Sequence, residues 1–286
     1  YDSFVSKANP NYEPFIKAMI HKSDWEIVFK LCSTLKLDVI YMPCDELAAE
    51  LAVNEWKHFI KFIDIHPINF IYQPILDIIK KSGIDIIIGV GGRTLGEIEN
   101  KIDFYGNQIK VLMFGHQAFP TQLHQSSIAK IVLLKEKFTN LIIGYADHSP
   151  FDSHWGVDLQ SVAYMLGARM FEKHIALVAG EERFDYITSS SPEQIRFMVS
   201  DIAKLDELNV EYADLNKLNE SEIKYTSRQL KAVASQNLNS SHVITEKDLK
   251  FKMIESESGF IYSDDIVGKS LLQEVKEDQP ILYISS

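Results

Sequence analysis

The stretch IDIIIGVGGRTLGEIE, residues 84–99, holds a strand, a turn and a helix start in immediate succession. IDIIIGV (84–90) is an unbroken apolar run, short enough for a strand and without the polar alternation of a half-exposed one. A strand of that kind is covered on both faces, as in a parallel sheet. Gly91 and Gly92 permit a tight turn, and Thr94 followed three residues on by Glu97 is a capping box that opens a helix. The turn would offer backbone N–H groups to an anion. It lacks both the GxGxxG spacing and a P-loop lysine, so it does not indicate a nucleotide.

The same unit recurs on either side. A helical pattern at 25–37 leads to DVIYM (38–42), and NEWKHF leads to IKFIDI (60–65). A helix over 71–83, closed by Gly83, leads back to the opening stretch. Beyond it come IKVLMF (109–114), a helix over 126–138 with LIIGYA (141–146), a helix over 159–168 with RMFEKHI (169–175), and a final helix at 191–205 started by Ser191 and Gln194. Six apolar strands separated by helices predict an α/β fold with a parallel sheet. An open doubly wound sheet and a closed (β/α)8 barrel both fit. The barrel is favoured because polar residues follow nearly every strand: Asp45, His66, Gly91-Gly92-Arg93, His116-Gln117, Asp147-His148 and Lys173-His174. In a barrel those positions converge on the face that carries active sites. Six strands fall two short of closure, and YDSFVSKANPNYEPF has no strand before it, so the expectation is a TIM barrel lacking its N-terminal strands. The expected organisation is a barrel over 1–205, a polar linker over 206–230 and a small β-rich domain over 231–286.

Composition narrows the chemistry. A net charge of −11 over 286 residues argues against nucleic acid or an anionic membrane as the main partner. No apolar run is long enough to cross a bilayer, and no basic leader with an apolar segment opens the chain. Cys32 and Cys44 have neither a CxxC nor a metal-ligand spacing, which suits a reducing, cytoplasmic setting.

His148 and His174 are the leading candidates. Each follows the end of a strand, and the two strands are consecutive, so the imidazoles can meet at one mouth and share a divalent ion. The alternative is that they only hydrogen-bond within loops. Asp147 and Lys173, one residue earlier, would either orient an imidazole or, by strand alternation, turn away into the barrel wall. Asp185, in ERFDYITSSSPEQ (182–194), is placed to meet a sugar hydroxyl or a metal-bound water.

These residues carry a resemblance. IIGYADHSPFDSHWG, LGARMFEKHIAL and FDYITSSSPEQ are similar, in order and spacing, to the closing segments of the sialic acid synthase barrel. MPCDELA, IKFIDIHPIN, IIIGVGGRTLGEIE and MFGHQAFPTQ fall in order as the intervening strand ends. VASQNLNSSHVITEKDL with VGKSLL resembles the small antifreeze-like (SAF) domain that closes these synthases, and the chain looks closest to the divergent members linked to spore coat polysaccharide synthesis. The resemblance implies an incomplete TIM barrel with an SAF domain, in a domain-swapped homodimer. It implies condensation of phosphoenolpyruvate with an N-acetylated amino sugar or its phosphate, assisted by Mn or Mg held by His148 and His174. On the same basis Lys61, Asn69, Gln117, Phe119 and Asp185 would bind substrate, and Asp185 and Asp147 would serve catalysis. The chain also departs from the family pattern. Met42, Val90 and Ala146 stand where the family has hydroxyl residues, Phe119 stands for its tyrosine, and Met253 or a neighbour for the SAF arginine. Those departures keep open an aldolase acting on another 2-keto acid, and a barrel that binds a sugar or partner without catalysis.

Overall fold

The computed structural model describes residues 4–115, 118–208, 214, 216–226, 228–255 and 258–285. The chain divides into two compact units, Tyr1–Glu211 and Tyr212–Ser286. In the first, α1 (Tyr12–Lys17) and α2 (Lys22–Thr34) precede β1 (Val39–Tyr41), α3 (Glu46–Asn54) and β2 (Ile60–Ile65). α4 (Gln73–Ser82), β3 (Asp85–Gly89), α5 (Leu95–Tyr105) and β4 (Ile109–Gly115) follow. α6 (Lys130–Lys137), β5 (Ile142–Asp147), α7 (Trp155–Met165), β6 (Met170–Lys173) and α8 (Pro192–Asp206) complete the unit.

The strands form one parallel sheet in the order β1-β2-β3-β4-β5-β6. Strictly sequential order decides between the two predicted architectures. Right-handed crossovers that always advance in one direction place every connecting helix on the same face, whereas a doubly wound sheet reverses. Burial agrees with this. One cluster joins strand residues Ile63, Ile65, Ile86, Ile88, Leu112 and Ile143 to helix residues from α2 to α7. A second cluster holds only strand side chains, Ile87, Val111, Met113 and Ala146, with Phe62 and Met170 packed against it. The first is the interface between helices and sheet; the second is the lumen side of a half-barrel.

Local chemistry explains the element ends. Thr94 and Ser191 cap α5 and α8 with complete capping boxes, as read from sequence. Gly83 ends α4 at φ 67, a left-handed position that glycine takes without steric cost. α1 and α3 were not anticipated. The start of α3 is fixed by Asp45, whose carboxylate accepts the Ala48 N–H at 2.8 Å, so a residue read as a strand-end polar group is also a helix cap.

The second unit contains α9 (Glu220–Thr226) and an antiparallel pair, β7 (Leu230–Ala234) with β8 (Leu249–Met253). Among the described residues, the rest of the β-rich region pairs through isolated bridges such as Leu238 with Val275 and Leu271 with Ile284. Ala234, Leu238, Ile244, Leu271, Val275 and Ile281 make its core. Asp248 is buried and accepts from His242, from the Thr245 hydroxyl and N–H, and from Gln236. Burial pushes its carboxyl up, but those four donors outweigh burial and hold it well below the usual carboxylate range.

Candidate active site

β5 and β6 are neighbours, paired from Gly144 with Met170 through Asp147 with Lys173. Their register sets which side chains meet. Ala146 and Met170 belong to the lumen side, so the two-residue alternation sends His148, Glu172 and His174 there as well. The rings of His148 and His174 lie 5.1 Å apart, centroid to centroid, at 68°. Phe119, from the loop after β4, completes a triangle at 5.9 Å from His148 and 6.0 Å from His174. Asp185 brings a carboxylate oxygen to 3.9 Å from His174 Nδ1. Four of the residues expected in the site are therefore together.

The backbone around them is tied down. The Thr121 N–H donates to the carbonyl of His148 at 2.8 Å, and the Ser190 N–H to that of His174 at 2.8 Å. Ile175 and Ser190 form a parallel bridge, so the chain after Asp185 returns alongside the end of β6. Asp185 itself has a left-handed backbone, φ 59, at the start of a 3-10 turn over Tyr186–Thr188.

Asp147 and Lys173 take the other face. Their side chains form an ion pair at 2.6 Å, 1% and 6% exposed, on the helix side of the sheet. Asp147 also accepts from the Ser149 hydroxyl at 2.8 Å and its N–H at 3.1 Å. The expected catalytic part for Asp147 thus has no geometry at the lumen: alternation turns it away, and it clamps β5 to β6 one residue below the histidines. Lys61 is not brought to the mouth either. It lies near the start of β2, at the opposite end from His66, with an exposed side chain 3.3 Å from Asp38. Asn69 is buried, and its amide donates to the carbonyls of Pro43 and Cys44 at 3.1 and 3.2 Å, joining the loops after β1 and β2. Gln117 lies outside the described residues.

Two lumen carboxyls were not singled out from sequence. Asp64 follows Phe62 by two residues on the lumen side of β2 and is 4% exposed. Burial pushes its carboxyl well above the ordinary range, and the Glu172 charge pushes it the same way. Burial likewise raises Glu172. The signal was available: Glu172 stands two residues from His174, and Asp64 is an acid inside the otherwise apolar end of IKFIDI. Cys44, at the end of β1, has its thiol pushed up to about 11, by burial and then by Asp45, so it is no nucleophile near neutrality.

A divalent ion fits the imidazole pair. Two neutral imidazoles at adjacent strand ends are a usual donor set for Mn, Fe or Zn, leaving other positions to water or substrate oxygen. Among the described residues no group of three or more His, Cys, Asp or Glu is drawn together to hold an ion; the candidate donors at the mouth are the two imidazoles, with Asp185 beside His174.

Comparison with known proteins bears on this arrangement. Residues 2–212 match the NeuB family. An N-acetylneuraminate-9-phosphate synthase of Drosophila melanogaster is 26% identical over 278 residues, spanning 88% of this chain and 72% of its own length. Among solved structures, a Chromobacterium violaceum protein named for spore coat polysaccharide biosynthesis superposes with a TM-score of 0.81 at 19% identity, over all of this chain and 85% of its own. N-acetylneuraminic acid synthetase of Leptospira borgpetersenii, crystallised with citrate, superposes with a TM-score of 0.66 at 19% identity, over 75% of this chain and 72% of its own. At those identities the structural likenesses establish the fold.

Proposed function

The chain belongs to the NeuB family, and on that premise we propose that it is a metal-dependent condensing enzyme. It would join phosphoenolpyruvate to an N-acetylated amino sugar, or the sugar's phosphate, to give a nonulosonic acid of a surface polysaccharide. The observation that carries the reading is the convergence of His148, His174, Phe119 and Asp185 at the C-terminal ends of adjacent parallel strands. His148 and His174 would hold the ion, Mn or Mg, which when bound polarises the sugar's carbonyl oxygen as a Lewis acid.

The chain's own groups supply the rest. Phe119 offers an aromatic face beside the histidines, and Gln117 is taken as a substrate contact from the family resemblance alone. Asp185 faces the sugar hydroxyls. Glu172, its carboxyl raised by burial, stands on the lumen side two residues before His174 and would be the nearest acid to a developing alkoxide. The Asp147–Lys173 pair fixes both histidine backbones by locking β5 to β6. We read the six-stranded sheet as the last six strands of an eight-stranded barrel. The second unit is read as an SAF-type domain, working in a domain-swapped homodimer in the cytoplasm.

A second reading has its own observation. The strand lysines Lys61, Lys110 and Lys173 all lie on the helix side by alternation, while Asp64 and Glu172 occupy the lumen. Those strand positions offer carboxyls and no lysine to a phosphorylated, carboxylated donor. That favours an aldolase that takes an unphosphorylated 2-keto acid.

The deciding experiment is incubation with phosphoenolpyruvate, Mn and a panel of N-acetylated hexosamines and their phosphates. Sugar-dependent phosphate release supports the synthase. Pyruvate consumption without phosphate release supports the aldolase. Neither activity with any sugar would leave a binding barrel.

A further inference from the structure

Asp185 lies in a loop held from two sides. On one side stands Phe151, from the loop after β5. Its N–H donates to the Ile187 carbonyl at 2.9 Å, and its ring lies 6.3 Å from that of Tyr186. A Cβ on Gly180 would fall 2.5 Å from the same ring, so Phe151 is seated directly against the loop backbone. On the other side Phe184, the residue before Asp185, meets Phe15 of α1 edge to face at 5.2 Å. Phe15 in turn meets Phe4 at 6.2 Å. Phe4 lines a cavity of about 710 Å3 with Cys44, Asp45 and Asn69, at the ends of β1 and β2. The N-terminal segment therefore links the loops of the first strands to the loop after the last.

The Asp185 backbone needs such support. Its φ of 59 is a position that a non-glycine residue occupies at some cost, though aspartate tolerates it better than most. Its carbonyl accepts from the Ser189 hydroxyl at 2.9 Å and from the Thr188 N–H at 3.3 Å, bonds that stay inside the loop and do not anchor it to the barrel. After Asp185 the loop is anchored by the Phe151 N–H bond to Ile187 and the Ser190 N–H bond to His174; on the side before Asp185, the contact is the ring of Phe184 on Phe15.

We propose that Phe15 is a positioning residue which, by packing on Phe184, holds Asp185 beside His174 and so sets the affinity of the imidazole centre for its ion. The inference rests on the metal reading above and adds to it a dependence on α1.

The test uses Phe15→Ala and Phe184→Ala, which remove the same contact from opposite sides, with Phe15→Tyr as the conservative control. Amide exchange at Thr188, Ser189 and Ser190 is read in metal-free protein, and Mn affinity by titration. Loss of one edge-to-face contact predicts both Ala variants binding Mn roughly 3- to 10-fold more weakly, with exchange faster by a similar factor. Phe15→Tyr behaves as wild type. Adding Phe15→Ala to Asp185→Ala costs no further affinity, which a general loss of stability would not reproduce. Unchanged exchange in both Ala variants overturns the proposal. So does faster exchange with unchanged affinity, or a loss that adds to that of Asp185→Ala. If wild type binds no Mn, the metal reading fails while the exchange comparison still decides whether Phe15 holds the loop.

Discussion

Lys173 and Asp147 bury opposite charges within 2.6 Å of each other, one residue before each histidine. Removing the lysine leaves a carboxylate in the sheet–helix interface with hydroxyl and amide donors from Ser149 and Tyr145 but no countercharge. Lys173→Met is expected to cost about 3–5 kcal/mol in a denaturant titration, and the double variant Asp147→Asn/Lys173→Met distinctly less. Asp64 makes the opposite case. Its folded carboxyl sits well above the unfolded value, by burial and then by the Glu172 charge, so the fold prefers the protonated form. Stability should fall as pH rises from about 4, where the unfolded aspartate ionises, toward the folded value. Asp64→Asn should therefore melt higher than wild type at pH 8, with the gap closing near pH 4. A constant gap would contradict the burial argument. Asp248 in the second unit has the reverse sign, because its folded carboxyl is held low. Its contribution is full above pH of about 4 and is lost as pH falls toward the depressed value. Amide-exchange protection factors in the second unit should fall in acid, and Asp248→Asn should flatten that dependence.

At the scale of elements, much of the site was legible because strand ends are. The apolar runs and their polar successors put His148 and His174 on neighbouring strands before any coordinates were needed. Direction along each strand was harder. Asp147 shares a dipeptide with His148, yet alternation places it on the helix side, and only the inner cluster that holds Ala146 and Met170 shows which parity faces the lumen. Lys61 escaped for a related reason: its position near the start of β2 sends it to the end of the sheet away from the mouth. Asn69 reads as a substrate contact but spends its amide on two backbone carbonyls, a use invisible without the facing loop. Close backbone approach has its own marker. A Cβ on Gly115, φ 134, would lie 2.0 Å from the Ala146 carbonyl oxygen, where β4 meets β5 just before His148. Gly115→Ala is expected to destabilise the first unit by about 2–4 kcal/mol, since a backbone atom cannot step aside as a side chain can. Gly144→Ala meets the movable Met113 side chain at 2.7 Å and the Met170 carbonyl only at 3.4 Å, and should cost less.

For the whole molecule, strand order is the decisive fact. Six parallel strands in sequence order, with helices on one face and a small aliphatic cluster on the other, make a barrel sector and not a doubly wound sheet. Helix–strand alternation fits both, because it does not say which face each helix takes, and only the polar strand ends favoured the barrel from sequence. The second unit was legible as β-rich but not as a structure held mainly by isolated bridges around a buried aspartate. Among the described residues no helix is long and apolar enough to cross a membrane. The account stands on the imidazole pair at the mouth of that sector. Isothermal titration of Mn into the full chain and into a His148→Ala/His174→Ala variant tests it most directly. The prediction is one ion per chain bound by wild type and no measurable binding by the variant at matched concentrations. Equal binding by both, or by neither, would contradict it.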